Sequence, residues 1–170
     1  VPTSALNALT AHAVPEVFTP YEFGRTVTML NSEFTVTCAM AFPENTFFYK
    51  EIMWALDNKE SIKNYKDAND AVNKRYPGMS WVHAINNACL TVWGVYLGRD
   101  DFTKGISETV AMAYDNDCTG ATVGSILGAY LGFESINPTW YEKWNNKILS
   151  YLNGVDSFDL DDIVNRYIKL

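Results

Sequence analysis

No run of about 18 or more apolar residues occurs in this 170-residue sequence, and no signal-peptide pattern opens it, so no membrane span is expected. Positive charge is scarce: 13 Lys and Arg stand against 20 Asp and Glu, for a formal net charge of −7. That balance disfavours a nucleic-acid backbone or an anionic membrane surface as partner. Cysteine is sparse too. Cys38, Cys89 and Cys118 are widely spaced, odd in number and form no CxxC, the usage of a reduced, cytoplasmic protein. Repeats, low-complexity tracts and linkers are absent, and the first residue is Val1 rather than Met, as in a cleavage product or a fragment. What is present is core material. With 48% apolar and 14% aromatic residues, the chain is not disordered, and residues 1–170 suffice for one domain.

The most informative stretch is Asp115 to Gly132, DNDCTGATVGSILGAYLG. Residues two apart lie about 200° apart around a helix axis, so Asp115 and Asp117 cannot share a helix face. An extended or turning backbone projects both to one side. The spacing therefore predicts an acidic loop followed by a helix that starts near Thr119 or Gly120. Such a loop suits a hard cation, and the helix start offers unpaired N–H groups at Gly120 and Ala121 to a phosphate oxygen. The bland alternative is helix capping beside a solvated acidic turn. Glycines recur at 120, 124, 128 and 132. Three interior glycines at Gly124, Gly128 and Gly132 would cost about 3 kcal/mol relative to alanine, so another helix or a ligand must approach that face closely. An EF-hand is excluded, because the position that needs a bidentate Glu is Ile126.

Helical signals frame this stretch. Ser4 is expected to cap a short helix ended by Pro15, His12 reads as a surface or internally satisfied histidine, and the Thr- and Val-rich segment from Thr26 to Phe42 is ambiguous between strand and helix. Thr46 precedes a helix over FFYKEIMWAL, broken at Asp57-Asn58-Lys59. A second helix carries Ile62, Tyr65, Ala68, Val72 and Tyr76 and stops at Pro77-Gly78. An apolar helix spans Trp81 to Gly98, with His83, Asn86 and Asn87 on one face as either a satisfied polar seam or a surface that faces substrate or the waters around a bound metal. Cys89 on the same helix reads as a small core residue. Asp100 or Asp101 caps the next helix, which delivers the chain to Asp115. Beyond the glycines, Asn137-Pro138 is expected to start a helix through Tyr141, Trp144, Ile148 and Leu152 that ends at Asn153-Gly154, and Asp159 to cap a final one.

The run DNDCTGATVGSILGA, preceded by HAINNACLTVWGVYLGRDDFTKGISETVAMAY, resembles the carboxy-terminal part of the ADP-ribosylglycohydrolase family. The similarity is strongest over residues 80–140, looser over 43–80 and not visible over 1–42. The resemblance implies an all-α, orthogonally packed helical domain of the ADP-ribosylglycohydrolase fold, incomplete at its amino-terminal side. It implies a pair of Mg²⁺ or Mn²⁺ ions, with Asp115 and Asp117 as carboxylate ligands. The family's third ligand, usually a hydroxyl, falls on Cys118. A thiol is a poor Mg²⁺ ligand, so either Thr119 substitutes or that coordination position is weaker. The glycine that commonly precedes the motif is replaced by Ala113-Tyr114.

The implied reaction is hydrolysis of the glycosidic bond between ADP-ribose and a protein side chain or related acceptor. Asn116, Gly120, His83 and Asn87 are the candidate substrate-binding residues, and the partner would be an ADP-ribosylated protein or a small ADP-ribosyl compound. The family's Thr/Ser-Asp-Asp ligand set and its acidic catalytic residue are expected upstream. Asp100-Asp101 reads as a helix cap, and Asp161-Asp162 comes after the motif. The chain alone is therefore expected to be inactive. Two alternatives remain: a non-catalytic ADP-ribose-binding or structural relative, and a helical interaction domain whose glycine face docks a partner helix.

Overall fold

The computed structural model describes residues 42–169. The expectations for the helix at Ser4, for His12, for Cys38 and for the segment from Thr26 to residue 41 lie outside the described residues. The described chain is mostly helical. Its α-helices are α1 (Phe47–Asp57), α2 (Tyr65–Arg75), α3 (Ala84–Leu97), α4 (Phe102–Ala111), α5 (Asn116–Leu131) and α6 (Leu160–Ile168). A two-stranded antiparallel hairpin, β1 (Lys147–Leu152) with β2 (Val155–Asp159), precedes α6. No described helix is long and apolar enough to cross a membrane.

Local chemistry sets the boundaries. Thr46, Asn64, His83, Asp101 and Asp159 each accept a backbone N–H at a helix start, which satisfies donors that the first turn leaves without partners. Of the two acids before α4, the cap is Asp101, which accepts from Lys104 N at 3.0 Å. Gly78, at φ +76, turns the chain after α2.

Apolar helix α3 is the hub, packed against α1, α2, α4 and α5. Ile52, Ala55, Leu56, Ala68, Val72, Leu90 and Trp93 form the main core, and the Trp93 indole donates to the Ala55 carbonyl at 2.8 Å. A second cluster, Val95, Val123 and Leu127, joins α3 to α5.

Glycine makes the close helix approaches possible. A Cβ on Gly98 of the α3 end would lie 2.3 Å from the Gly105 Cα and 2.5 Å from Leu127 Cδ1. A Cβ on Gly94 would lie 2.1 Å from Thr109 Oγ1. On α5, virtual Cβ atoms of Gly120, Gly124 and Gly128 would meet Val110 at 3.0 Å, Ile106 at 3.3 Å and Phe102 at 3.6 Å. The glycine face of α5 is thus filled by α4 of the same chain, running antiparallel. A helix, not a ligand, makes the close approach there, and the face is not bare for a partner helix. Gly132 is not interior: it ends α5 at φ +78.

Three expectations need correction. Helix α3 begins at Ala84, because Trp81 to His83 forms a turn whose last residue caps the helix. Helix α5 begins at Asn116, three to four residues earlier than expected. The helix expected from Asn137-Pro138 to Leu152 does not form. Short 3₁₀ turns at Pro138–Trp140 and Glu142–Trp144 are followed by left-handed Asn145 and Asn146, φ 48 and 60, and then by strand β1. Asn153-Gly154 is the hairpin turn, with Leu152 opposite Val155.

Candidate metal centre

Three residues at the start of α5 bring cation-ligating atoms together. One carboxylate oxygen of Asp115, one of Asp117 and the Cys118 sulfur lie within 4.8 Å of one another, the one such group among the described residues. Asp115 is half-buried, and the other two are exposed. Asp117 belongs to the first turn of the helix rather than to a loop, yet the two carboxylates still converge. The reason is that Asp115, at φ −84 and ψ 61, is the non-helical cap residue, so the helical 200° separation does not apply between them.

The Asp115 carboxylate also departs from what an N-cap aspartate does. Such a side chain ordinarily accepts from the N–H of the second or third residue of its helix. Asp115 makes no such bond. One of its oxygens lies within 4.8 Å of the Cys118 sulfur instead. The hold of the Asp115 carboxylate on the thiol proton, then the charges of Asp115 and Asp117, push the Cys118 thiol above its ordinary range. A cation bound among these groups would oppose that effect, since it favours the thiolate. The donor set fits a divalent ion: two hard carboxylates for Mg²⁺ or Mn²⁺, with a soft sulfur better suited to Mn²⁺ than to Mg²⁺. Thr119 is a poor replacement for Cys118. It is 3% exposed, and its hydroxyl donates to the Asp115 carbonyl at 3.2 Å.

The segment before Asp115 is bent hard and held by asparagines. Ala113 and Tyr114 both adopt left-handed backbone, φ 63 and 65, at the place where the family commonly has glycine. Asn69 of α2 donates to the Met112 carbonyl at 2.8 Å, and Asn73 of α2 accepts from the Tyr114 hydroxyl at 2.7 Å. From α3, Asn87 Oδ1 accepts the Asp115 N–H at 3.2 Å. Asn87 Nδ2 donates to the Trp81 and His83 carbonyls at 2.8 and 3.0 Å. Asn86, fully buried, donates to the Ser80 carbonyl at 2.9 Å.

The candidate substrate-binding residues divide accordingly. Asn87 reaches the Asp115 backbone, while His83 is exposed and caps α3 through Nδ1, which accepts from Ile85 N at 3.2 Å. Asn116 donates its amide to the Val110 carbonyl at 3.2 Å, and Gly120 is buried against Val110, so both serve the α4–α5 contact. Sequence reasoning missed Asn69, Asn73 and Tyr114. The signal was the pair of asparagines at i and i+4 on a helix whose apolar face was already assigned.

The family model described as ADP-ribosylglycohydrolase matches residues 4–167. No curated protein and no solved structure matches the chain. The matched span runs well upstream of residue 43, where the motif-level similarity fades. With nearly its whole length inside that match and the acidic motif at the head of a glycine-bearing helix, the chain belongs to the ADP-ribosylglycohydrolase family.

Proposed function

We propose that this protein hydrolyses the glycosidic bond of an ADP-ribosylated protein side chain or a related small ADP-ribosyl compound, in a cytoplasmic setting that keeps Cys118 reduced. The observation that supports this reading is the Asp115 carboxylate, which leaves its cap position unbonded and lies with Asp117 and Cys118 within 4.8 Å. In this reading Asp115 and Asp117 hold Mg²⁺ or Mn²⁺, with Cys118 as a weaker third donor. A cation held there would supply Lewis-acid polarisation and a water of lowered pKa. The chain's own contribution is placement. The left-handed turn at Ala113 and Tyr114 brings the chain to the start of α5, where the acidic residues stand.

The test is ADP-ribose release from an ADP-ribosylated protein, with Mg²⁺ or Mn²⁺ and with EDTA, on the 170-residue chain and on the natural translation product that contains it. Asp115→Asn and Asp117→Asn are expected to lower metal-dependent release by at least 100-fold. Release that persists in EDTA and in both variants would overturn the reading. A second reading, a non-catalytic ADP-ribose-binding relative, is favoured by the thiol in the third ligand position. It requires tight ADP-ribose binding that ignores EDTA, together with no release under any metal.

A further inference from the structure

Asn87 is one of several asparagines near the acidic residues, but its bonding differs from the others. Asn69 and Asn73 of α2 hold the approach to the motif, at Met112 and Tyr114. Asn87 alone among them bonds a residue of the acidic triad, through the Asp115 N–H. It is 8% exposed, and each side of its amide is used. The oxygen takes Asp115 N–H at 3.2 Å, and the nitrogen binds the Trp81 and His83 carbonyls at 2.8 and 3.0 Å. An amide is the side chain that can do this, because it presents an acceptor and two donors in one plane. The three bonds join the Trp81–His83 turn, helix α3 and the cap of α5.

The need for such a tie follows from the backbone around it. Asp115 has no side-chain cap bond to lock its conformation, and it follows two consecutive residues at φ 63 and 65. Each left-handed residue other than glycine costs about 1–2 kcal/mol, so this backbone persists only where its surroundings over-determine it. The Asp115 N–H is where another element, α3 through Asn87, grips the backbone of the acidic residue itself.

We infer that Asn87 is a positioning residue for the cation site: through its bond to the Asp115 N–H it sets where the Asp115 carboxylate stands relative to Asp117 and Cys118. The inference rests on the metal-binding part of the proposed function. It assigns Asn87 no contact with substrate, in contrast to the substrate-binding role that the sequence suggested for it.

Mn²⁺ binding to the 170-residue chain, followed by electron paramagnetic resonance, is compared among wild type, Asn87→Ala, Asn87→Asp and Asn69→Ala. Amide hydrogen exchange at Asp115 is measured on the same proteins without metal. Loss of a partner that orients a metal ligand typically weakens affinity 10–100-fold. Asn87→Ala is expected to unprotect the Asp115 amide and to raise the Mn²⁺ Kd at least 10-fold. Asn69→Ala, which removes a bond to the Met112 carbonyl three residues earlier, should lower Tm but leave both the Asp115 protection and the Kd within twofold. Asn87→Asp keeps the acceptor and loses both donors, so it should keep the protection and bind Mn²⁺ no more weakly than wild type, despite a lower Tm. It carries the comparison with Asn69→Ala if Asn87→Ala does not fold.

Equal weakening by Asn69→Ala, or weakening by Asn87→Asp, would show that Asn87 acts only on stability and overturn the inference. So would an exposed Asp115 amide with unchanged Kd, and in that case the metal reading still stands. A wild-type chain that takes up no Mn²⁺ would remove the metal reading itself, and the inference with it.

Discussion

Ala113 and Tyr114 carry the local strain of the motif. Both sit at positive φ, where a Cβ crowds the backbone, and neither is glycine. Replacing Ala113 by glycine removes a cost of about 1–2 kcal/mol and adds about 0.5–1 kcal/mol of chain entropy, so the balance favours the variant. Ala113→Gly is therefore expected to stabilise the fold by about 0.5–1 kcal/mol in urea unfolding. An equal or lower stability would mean that the turn is not left-handed at this residue. Cys118 poses a different question at the same scale. Its sulfur shares a site with two carboxylates, so ligand softness and ligand charge pull selectivity in opposite directions. Cys118→Ser is expected to weaken Cd²⁺ binding by at least 10-fold while leaving Mg²⁺ binding equal or tighter. Metal competition measurements read this directly, and unchanged Cd²⁺ affinity would exclude the sulfur from the coordination sphere.

At the level of elements, the glycines of α3, α4 and α5 divide into two kinds. Gly98 and Gly105 place two helix backbones in contact, with a virtual Cβ on Gly98 at 2.3 Å from the opposing Cα, which cannot yield as a side chain can. Gly128 faces Phe102 and Ile136 at 3.6 and 3.8 Å, an ordinary contact distance. The same substitution should thus have opposite signs. Gly98→Ala is expected to destabilise by about 2 kcal/mol or more through overpacking. Gly128→Ala is expected to stabilise by up to about 1 kcal/mol through helix propensity. Thermal unfolding of the two variants tests the pair, and a loss of stability at both positions would place α4 closer to α5 than the structure has it. The four-residue spacing on α5 was legible in the sequence, but the tighter seam was not. Gly94 and Gly98 lie in an apolar run, and nothing local announces that Gly105 and Thr109 will face them. The helices from Thr46 to Ala111 were legible as elements because apolar periodicity and breaker residues agree there. Two starts were set early: α2 begins at Tyr65, after Ile62, and α3 at Ala84 rather than Trp81. The stretch after Gly132 was misread because Tyr141, Trp144, Ile148 and Leu152 keep helical spacing, while the left-handed pair Asn145-Asn146 interrupts it. KILSYL followed by Asn-Gly is the hairpin pattern that should have outweighed that spacing. The acidic site itself was legible as residues. Its convergence inside the first helical turn was not, since that depends on the cap conformation of Asp115.

Across the whole molecule, the acidic site depends on α3 being held against α1 and α2, and a partly buried ionic cluster adds to the apolar core in doing so. Glu51 of α1, 5% exposed, accepts from Arg75 Nη2 at 2.9 Å and also from Arg75 Nε and the Tyr76 hydroxyl. The Arg75 guanidinium lies 4.2 Å from the Trp54 ring centroid, and the Tyr76 hydroxyl reaches Cys89 Sγ of α3 at 3.5 Å. Burial pushes the Cys89 thiol up to about 11, so that it remains a neutral part of the core. For Glu51, burial alone would raise the carboxyl. The hydrogen bonds from Arg75 and Tyr76 and the charge of Arg75 outweigh it and hold the group below its ordinary value of 4.5. An acid whose folded pKa is depressed contributes stability that is complete above the unfolded value. That contribution is lost as pH falls through the folded value. Stability of the wild type is therefore expected to be level with respect to Glu51 from neutrality down to about pH 5, and then to decline as pH drops below 4.5. Glu51→Gln should lose about 2 kcal/mol at pH 7, less than a fully buried pair would because Arg75 is one-third exposed, and should show a shallower acid decline. Urea unfolding at pH 7, 5, 4 and 3 separates the two curves. Parallel curves would mean that Glu51 is not the group that titrates, and would leave the placement of α3, and of Asn87 on it, to the apolar core alone.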